Sequence, residues 1–276
     1  MTAADRMHHA GAQHPLLTDS IPPAPSTERL MNSLTLTDPT PRRLSFTESL
    51  RRLDAAQKPG AGVPAYTRWV NRRLARYLCA AAEQVGATPS AVSVLSILVT
   101  LSGLGAFLAL HRTPLLAGVL AAVLLALGYA LDSADGQLAR LQQTSSLQGE
   151  WLDHTLDAVR MPTVHLSISA GFLLQGAPLL AIVAAAFSAL ASASFLSQNL
   201  GGLLRDRARA ERVEVRRHQS WLLLPADPGV LCWTFVLWPV LSLFGLAYLV
   251  LFATNVLHFL LSASRRWREL GKGATS

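Results

Sequence analysis

Between Thr88 and Arg205 the chain carries five acidic residues, Asp132, Asp135, Glu150, Asp153 and Asp157, all within 26 positions. Asp132 and Asp135 are spaced i,i+3, Asp153 and Asp157 are spaced i,i+4, and Gly149 stands one turn before Asp153. On two helices these spacings put each pair on one face, so four carboxylates are turned toward each other. A carboxylate at membrane depth costs about 2.5–3.5 kcal/mol on insertion scales, less near the interface. Four neighbouring carboxylates also raise one another's proton affinity unless cations neutralise them, and few basic side chains lie in the cluster. A divalent-metal site with room for two ions removes the repulsion. Oxygen-only ligands, with one neighbouring His and no Cys, favour Mg²⁺ or Mn²⁺ over Zn²⁺. Gly136 and Ala139 are small enough to let a ligand approach the backbone, and Arg140 offers a forked guanidinium suited to phosphate oxygens. Metals beside an Arg are the apparatus of phosphoryl transfer. The residues alone therefore lead to a cytoplasm-facing intramembrane phosphotransferase or pyrophosphate-cleaving enzyme.

The elements that must position this cluster are membrane helices. The sequence predicts six spans, Ala91–Leu110, Leu115–Leu131, Leu152–Leu174, Leu179–Leu200, Trp221–Trp238 and Leu241–Leu261, each near the 20 residues a bilayer asks for. The third carries acidic residues in its first turns. Tyr66 to Gln84 reads as an amphipathic helix lying on the membrane: Val70, Leu74, Tyr77, Leu78 and Ala81 share one face, and Arg68, Arg72 and Arg76 repeat on another. Of the 24 Lys and Arg, only Arg112 falls on the far side of the predicted spans, which puts both termini and the acidic cluster in the cytoplasm. The expected architecture is an all-α integral membrane protein of six transmembrane helices preceded by an interfacial helix. It has a disordered cytoplasmic tail over 1–64, a membrane domain over 65–268 and a cytoplasmic tail over 269–276.

Composition agrees and excludes alternatives. Of 276 residues, 51% are hydrophobic and 15% charged, with most of the apolar content after residue 90, which rules out an ordinary soluble domain or a disordered chain. The net charge of +7 flanks apolar stretches, so its partner is an anionic lipid surface and not nucleic acid. Cys79 and Cys232 have neither metal nor redox spacing, and no disulfide framework is implied.

The run Asp132-Ser-Ala-Asp135-Gly136-Gln-Leu-Ala139-Arg140, eight residues, Gly149, three residues, Asp153, three residues, Asp157 resembles the signature of the CDP-alcohol phosphotransferases at all eight fixed positions. The likeness extends over about Tyr66–Arg268, including Thr88-Pro89-Ser90 before the first span. It implies a homodimeric six-helix enzyme of phospholipid biosynthesis in a bacterial cytoplasmic membrane. Such an enzyme moves a substituted phosphate from a CDP-linked donor, in the first reading phosphatidyl from CDP-diacylglycerol, to an alcohol acceptor with release of CMP. The resemblance makes Asp132, Asp135, Asp153 and Asp157 the ligands of two Mg²⁺ or Mn²⁺ ions, Asp157 the base, and Gly136, Ala139, Arg140 and Gly149 the contacts of the CDP moiety. Gly149-Glu150-x-x-Asp153-His154-x-x-Asp157 is also similar to a stretch of choline and ethanolamine phosphotransferases, which opens a second reading, a soluble CDP-alcohol donor with a lipid acceptor. His154 is then an acid, a base or an outward-facing helix residue, His165 is a packing residue, and Arg160 binds an acceptor phosphate or flanks the span. An intramembrane prenyltransferase would need two separated Asp motifs, and a cation-binding transporter component would spread its acids over several spans near the midplane.

Overall fold

The computed structural model describes residues 44–55, 63–207 and 227–273, and among them there is no strand. The helices are α1 (Phe46–Ala55), a π-helical turn (Thr67–Asn71) leading into α2 (Arg72–Val85), α3 (Pro89–Ala109), α4 (Pro114–Leu141), α5 (Leu147–Leu174), α6 (Pro178–Arg207), α7 (Pro228–Thr234) with a 3₁₀ turn (Phe235–Leu237), and α8 (Leu241–Gly273).

Four of them, α3, α4, α6 over Pro178–Leu204 and α8 over Leu241–Gly271, are long and apolar enough to cross a membrane. Their outer faces carry exposed Leu95, Leu98, Leu116, Ile182, Leu196 and Leu246, as lipid-facing helices do. The third expected span lies within α5, which has 28 residues but carries Asp153, His154, Asp157, Arg160 and His165. The described part of the fifth is the apolar run Pro228–Leu237, which at 1.5 Å per residue reaches about 15 Å, half a bilayer core. Residues 221–226 of that expected span lie outside the described residues.

Helix ends follow local chemistry. Thr88 Oγ1 accepts from the Ala91 N–H and Pro89 opens α3. Ser146 Oγ accepts from the Gly149 N–H at the start of α5. Asp227 caps α7 ahead of Pro228. Side-chain oxygens at these positions satisfy donors that the first helical turn leaves over. Gly86, at φ 69°, terminates α2 in the left-handed conformation a side chain resists.

Two clusters hold the bundle. At one end of α4 and α5, Phe107, Phe172, Phe235, Trp238, Phe244 and Tyr248 pack ring to ring, with Phe107 and Trp238 centroids 4.7 Å apart at 69°. Toward the other end Ala75, Cys79, Val92, Ala134 and Leu138 seat α2 against α3 and α4. Burial pushes the Cys79 thiol up to about 12, leaving it a packing group. Helices α3 and α4 approach closely at Gly128, where a Cβ would meet Thr100 Oγ1 at 2.3 Å.

Two expected boundaries move. Helix α1 lies inside the stretch read as a disordered tail to residue 64, packed on α2 through Leu53 and an Arg76–Asp54 ion pair. Its sequence signal is a capping box, Ser45-Phe-Thr-Glu48, in which Ser45 Oγ accepts from the Glu48 N–H. The rest of the expected tail, 1–43 and 56–62, lies outside the described residues. Helix α4 continues ten residues past Leu131, the expected end of the second span, so hydropathy falls while the helix goes on.

Candidate active site

The last three turns of α4 and the first three of α5 carry the acidic constellation, joined by a short connection in which Gln143 turns the chain with φ 57°. Because both helices are continuous through the cluster, the i,i+3 and i,i+4 spacings survive as shared faces. Asp132, Asp135 and Asp153 each offer a carboxylate oxygen, and these oxygens all lie within 4.8 Å of one another. No Cys or His joins them, so the donor set is hard oxygen and fits Mg²⁺ or Mn²⁺.

Asp135 is buried and held on both sides: Ser93 Oγ of α3 donates to Oδ2 at 2.5 Å and the Gly136 N–H donates to Oδ1. Asp157 stands one turn deeper. Arg160 donates from Nη1 to Asp132 Oδ1 at 2.5 Å and to Asp157 Oδ1 at 2.7 Å, and from Nη2 to Ser96 Oγ at 2.6 Å. Arg160 is 7% exposed. Arg160, expected to bind an acceptor phosphate or to flank the span, bridges two carboxylates, those of Asp132 and Asp157. The cluster has an internal cation that the count of nearby basic residues underrated, because Arg160 lies one turn beyond Asp157 and folds back toward it.

Three cavities meet at these carboxylates. One of about 240 Å³ is lined by Arg72, Gln137 and Arg140 together with Asp132, Asp135 and Asp153. Burial lowers the proton affinity of Arg72 without discharging its guanidinium. A larger one of about 820 Å³ contains all four expected nucleotide contacts, Gly136, Ala139, Arg140 and Gly149, along with Ser93, Ser146 and His154. His154 stands 3.9 Å from Glu150 and is half exposed. The third, about 250 Å³, lies on the other side of Asp132 and holds Asp157, Arg160 and His165. His165 is buried, hydrogen-bonded through Nδ1 to the Tyr248 hydroxyl at 2.7 Å and stacked on Phe187, a packing arrangement.

Sequence reasoning missed the supports. Ser93, Ser96 and Thr100 form a polar stripe at helical spacing inside an otherwise apolar span, a signal in the residues themselves. Asp227, 2% exposed, accepts from the Thr67 N–H at 2.8 Å and from Thr67 Oγ1, which also pairs with the Tyr129 hydroxyl. Asn71 donates to Ser133 Oγ at 2.6 Å, one residue from Asp132. These contacts join segments 62 to 160 residues apart and have no local signature.

Helices that gather carboxylates beside a basic, polar cavity at one end of an apolar bundle are the arrangement a membrane phosphotransferase needs. The family model of the CDP-alcohol phosphatidyltransferases matches residues 87–261, and the chain belongs to that family. It is accordingly a transferase of substituted phosphate groups in phospholipid biosynthesis, from a family that uses a divalent metal. No curated protein matches the chain. Helix α1 and α2 precede the matched segment.

Proposed function

We propose that the protein transfers a substituted phosphate from a CDP-linked donor to an alcohol acceptor at the cytoplasmic face of a bacterial membrane, releasing CMP. The observation that carries this reading is the approach of the Asp132, Asp135 and Asp153 carboxylate oxygens to within 4.8 Å of one another beside a cavity lined by Arg140. Asp132, Asp135 and Asp153, with Asp157 on the deeper side, would hold two divalent ions. Bound there, the ions supply charge neutralisation of the pyrophosphate and a better CMP leaving group. Arg140 pairs with phosphate oxygens, and Gly136, Ala139 and Gly149 leave room for the nucleotide along the 820 Å³ cavity. Asp157 takes the acceptor's proton while Arg160 keeps its carboxylate aimed, a positioning role.

The finer architecture belongs to the same proposal. Six crossings with both ends in the cytoplasm account for the single Lys or Arg, Arg112, on the far side. Helix α2 lies in the interface: Val70, Leu74 and Tyr77 are exposed while Ala75, Cys79 and Glu83 are buried, so its apolar face is turned away from the bundle. The homodimer rests on the family likeness.

Purified full-length protein incubated with Mn²⁺, CDP-linked donors and alcohol acceptors is expected to release CMP, and excess EDTA to stop the release. CMP release undiminished by EDTA rejects the metal-centred reading.

A further inference from the structure

The three cavities around the carboxylates are also three ways for water to reach a bound pyrophosphate, and they differ in what closes them. In the reading above, the nucleotide fills the one of about 820 Å³. The one beside Asp157 reaches the bundle surface between Met161, Val164, Pro228 and Leu231, half-buried apolar side chains, where lipid lies. The cavity of about 240 Å³ has no such protection in its own chemistry: Thr67, Arg72, Ser133, Gln137 and Arg140 line it with three aspartates, and all of these groups hold water. It has room for several water molecules. Asp132 borders both this cavity and the one beside Asp157, so water admitted to the first stands next to the place where an alcohol would lose its proton.

One side chain of this charged lining is out of character. Among its described residues Leu53 is the one apolar side chain. It comes from α1, which precedes the matched residues 87–261. Leu53 is 3% exposed and sits on Ala75, Cys79 and Leu138, and Ser49, one turn earlier, is fully buried on the same face. The helix is pinned at both ends. Just ahead of it the Leu44 carbonyl accepts from Gln84 Nε2 at 2.5 Å, and at its end Asp54, next to Leu53, pairs with Arg76. Its other face carries exposed Arg51 and Arg52, both paired with Glu48. Helix α1 therefore turns charge outward and hydrocarbon to the cavity.

We propose that α1 is a water-excluding wall of the reaction site and that Leu53 sets the preference for an alcohol over water as the group that receives the phosphate. The inference rests on the transferase reading above and adds what keeps the donor from being hydrolysed. Where a polar side chain replaces Leu53, water takes the alcohol's place. The water oxygen bonds to the phosphorus distal to the cytidine, the bond from that phosphorus to the bridging oxygen breaks, and CMP leaves with that electron pair. One proton of the water passes to Asp157 and on to solvent, and the other stays on the phosphate that its oxygen has joined. A CDP-linked donor and water become a phosphate monoester, CMP and a proton.

The test compares Leu53→Ser and the conservative Leu53→Met with the parent, each full-length in detergent, with folding followed by the thermal midpoint. In turnover with Mn²⁺, a CDP-linked donor and an alcohol acceptor, Leu53→Ser is expected to raise the ratio of hydrolysed to transferred product at least tenfold, and Leu53→Met to leave it within twofold of the parent. A second arm needs no turnover. With Mn²⁺ and CDP bound, the relaxation rate of water protons reports how freely water reaches the ion, and Leu53→Ser should raise it at least twofold while Leu53→Met does not. An unchanged product ratio or an unmoved relaxation rate in folded Leu53→Ser overturns the proposal, as does a rise that Leu53→Met shares or a parent that hydrolyses the donor as fast as it transfers it. Should Leu53→Ser not fold, Asp54→Asn, which frees the end of α1 from Arg76, is read in the same way, with a rise in product ratio of at least threefold expected. A parent that binds Mn²⁺ and CDP yet releases no CMP with any donor strikes the transferase reading, and the relaxation arm alone then decides whether α1 is the wall.

Discussion

The same two helices, α4 and α5, are built to opposite rules at their two ends. Near the α4–α5 connection they hold Asp132, Asp135, Asp153 and Asp157 against Arg140 and Arg160; toward their other ends they are clamped by Phe107, Phe172, Phe235, Trp238 and Phe244, with Phe235 and Phe244 fully buried. The aromatic end is dry and fills its space, so it fixes the register of the two helices. The acidic end opposes association, because its carboxylates repel until cations arrive. The contrast teaches that a site can afford mutual repulsion when another part of the same helices sets their spacing. Changes at the acidic end should strike rate and metal binding with little loss of fold, and changes at the aromatic end the reverse.

The largest effect that separates the ends is expected from Asp157→Asn, which keeps size and a coordinating oxygen but accepts no proton. The rate of CMP release should fall by about 10²–10⁴-fold, with an unchanged gel-filtration profile and thermal midpoint in detergent. A variant that keeps more than about a tenth of the rate removes Asp157 from the role of base. Next comes Trp238→Ala, which empties the centre of the ring cluster. Large-to-small changes of this kind cost about 3–5 kcal/mol, read as a lower thermal midpoint, while the protein still folded at low temperature keeps its turnover. If turnover per folded molecule fell as far as stability, the two ends would be one cooperative unit and the comparison would dissolve. The smallest effect is expected from Ser93→Ala. It removes the hydroxyl that donates to Asp135, and the loss of a hydrogen bond to a ligand weakens metal affinity by about 10–100-fold. Titrating Mn²⁺ against turnover should show a higher midpoint with nearly the same plateau. A lowered plateau with an unmoved midpoint would mean that Ser93 acts on the donor and not on the ligand.

What was legible in the sequence divides along the same line. Asp132, Asp135 and Asp153 stand at fixed helical spacings on two adjacent helices, so their convergence follows from local geometry, while Asp157, expected in the same group, meets Asp132 through Arg160. Arg160 had two expected roles, and its pairing with Asp132 was not among them, because that partner is 28 residues away on another helix. Ser96 and Asp227 were passed over for the same reason: each falls inside an expected apolar span, whose average hides one polar residue, and the partner of Asp227, Thr67, is 160 residues away. Hydropathy marks the end of the apolar run at Leu131 and not the end of α4, since Asp132 and Asp135 end an apolar run without ending a helix. In the opposite sense, the polar composition before residue 64 hid α1, whose capping box outweighs its low apolar content.

The contacts of Asp227 have a consequence for how the chain is made. Thr67 and Asp227 are 160 residues apart, and Tyr66, from the same short segment, receives a hydrogen bond from Trp233 on α7. A ribosome adding about 5–20 residues per second leaves the start of the α2 segment without these partners for roughly 10–30 s, while α3 to α6 emerge. Those helices can settle pairwise as they arrive, since their neighbours in space are neighbours in synthesis. The seam between residues 66–67 and 227–233 closes after these helices and before α8, and it adds Asp227 to the Thr67–Tyr129 contact beside the polar cavity. Biogenesis therefore leaves the cavity beside Asp157 without Pro228, Leu231 and Cys232 until late in translation, and a chain stopped short of residue 227 carries every aspartate of the cluster yet lacks the Asp227 clasp.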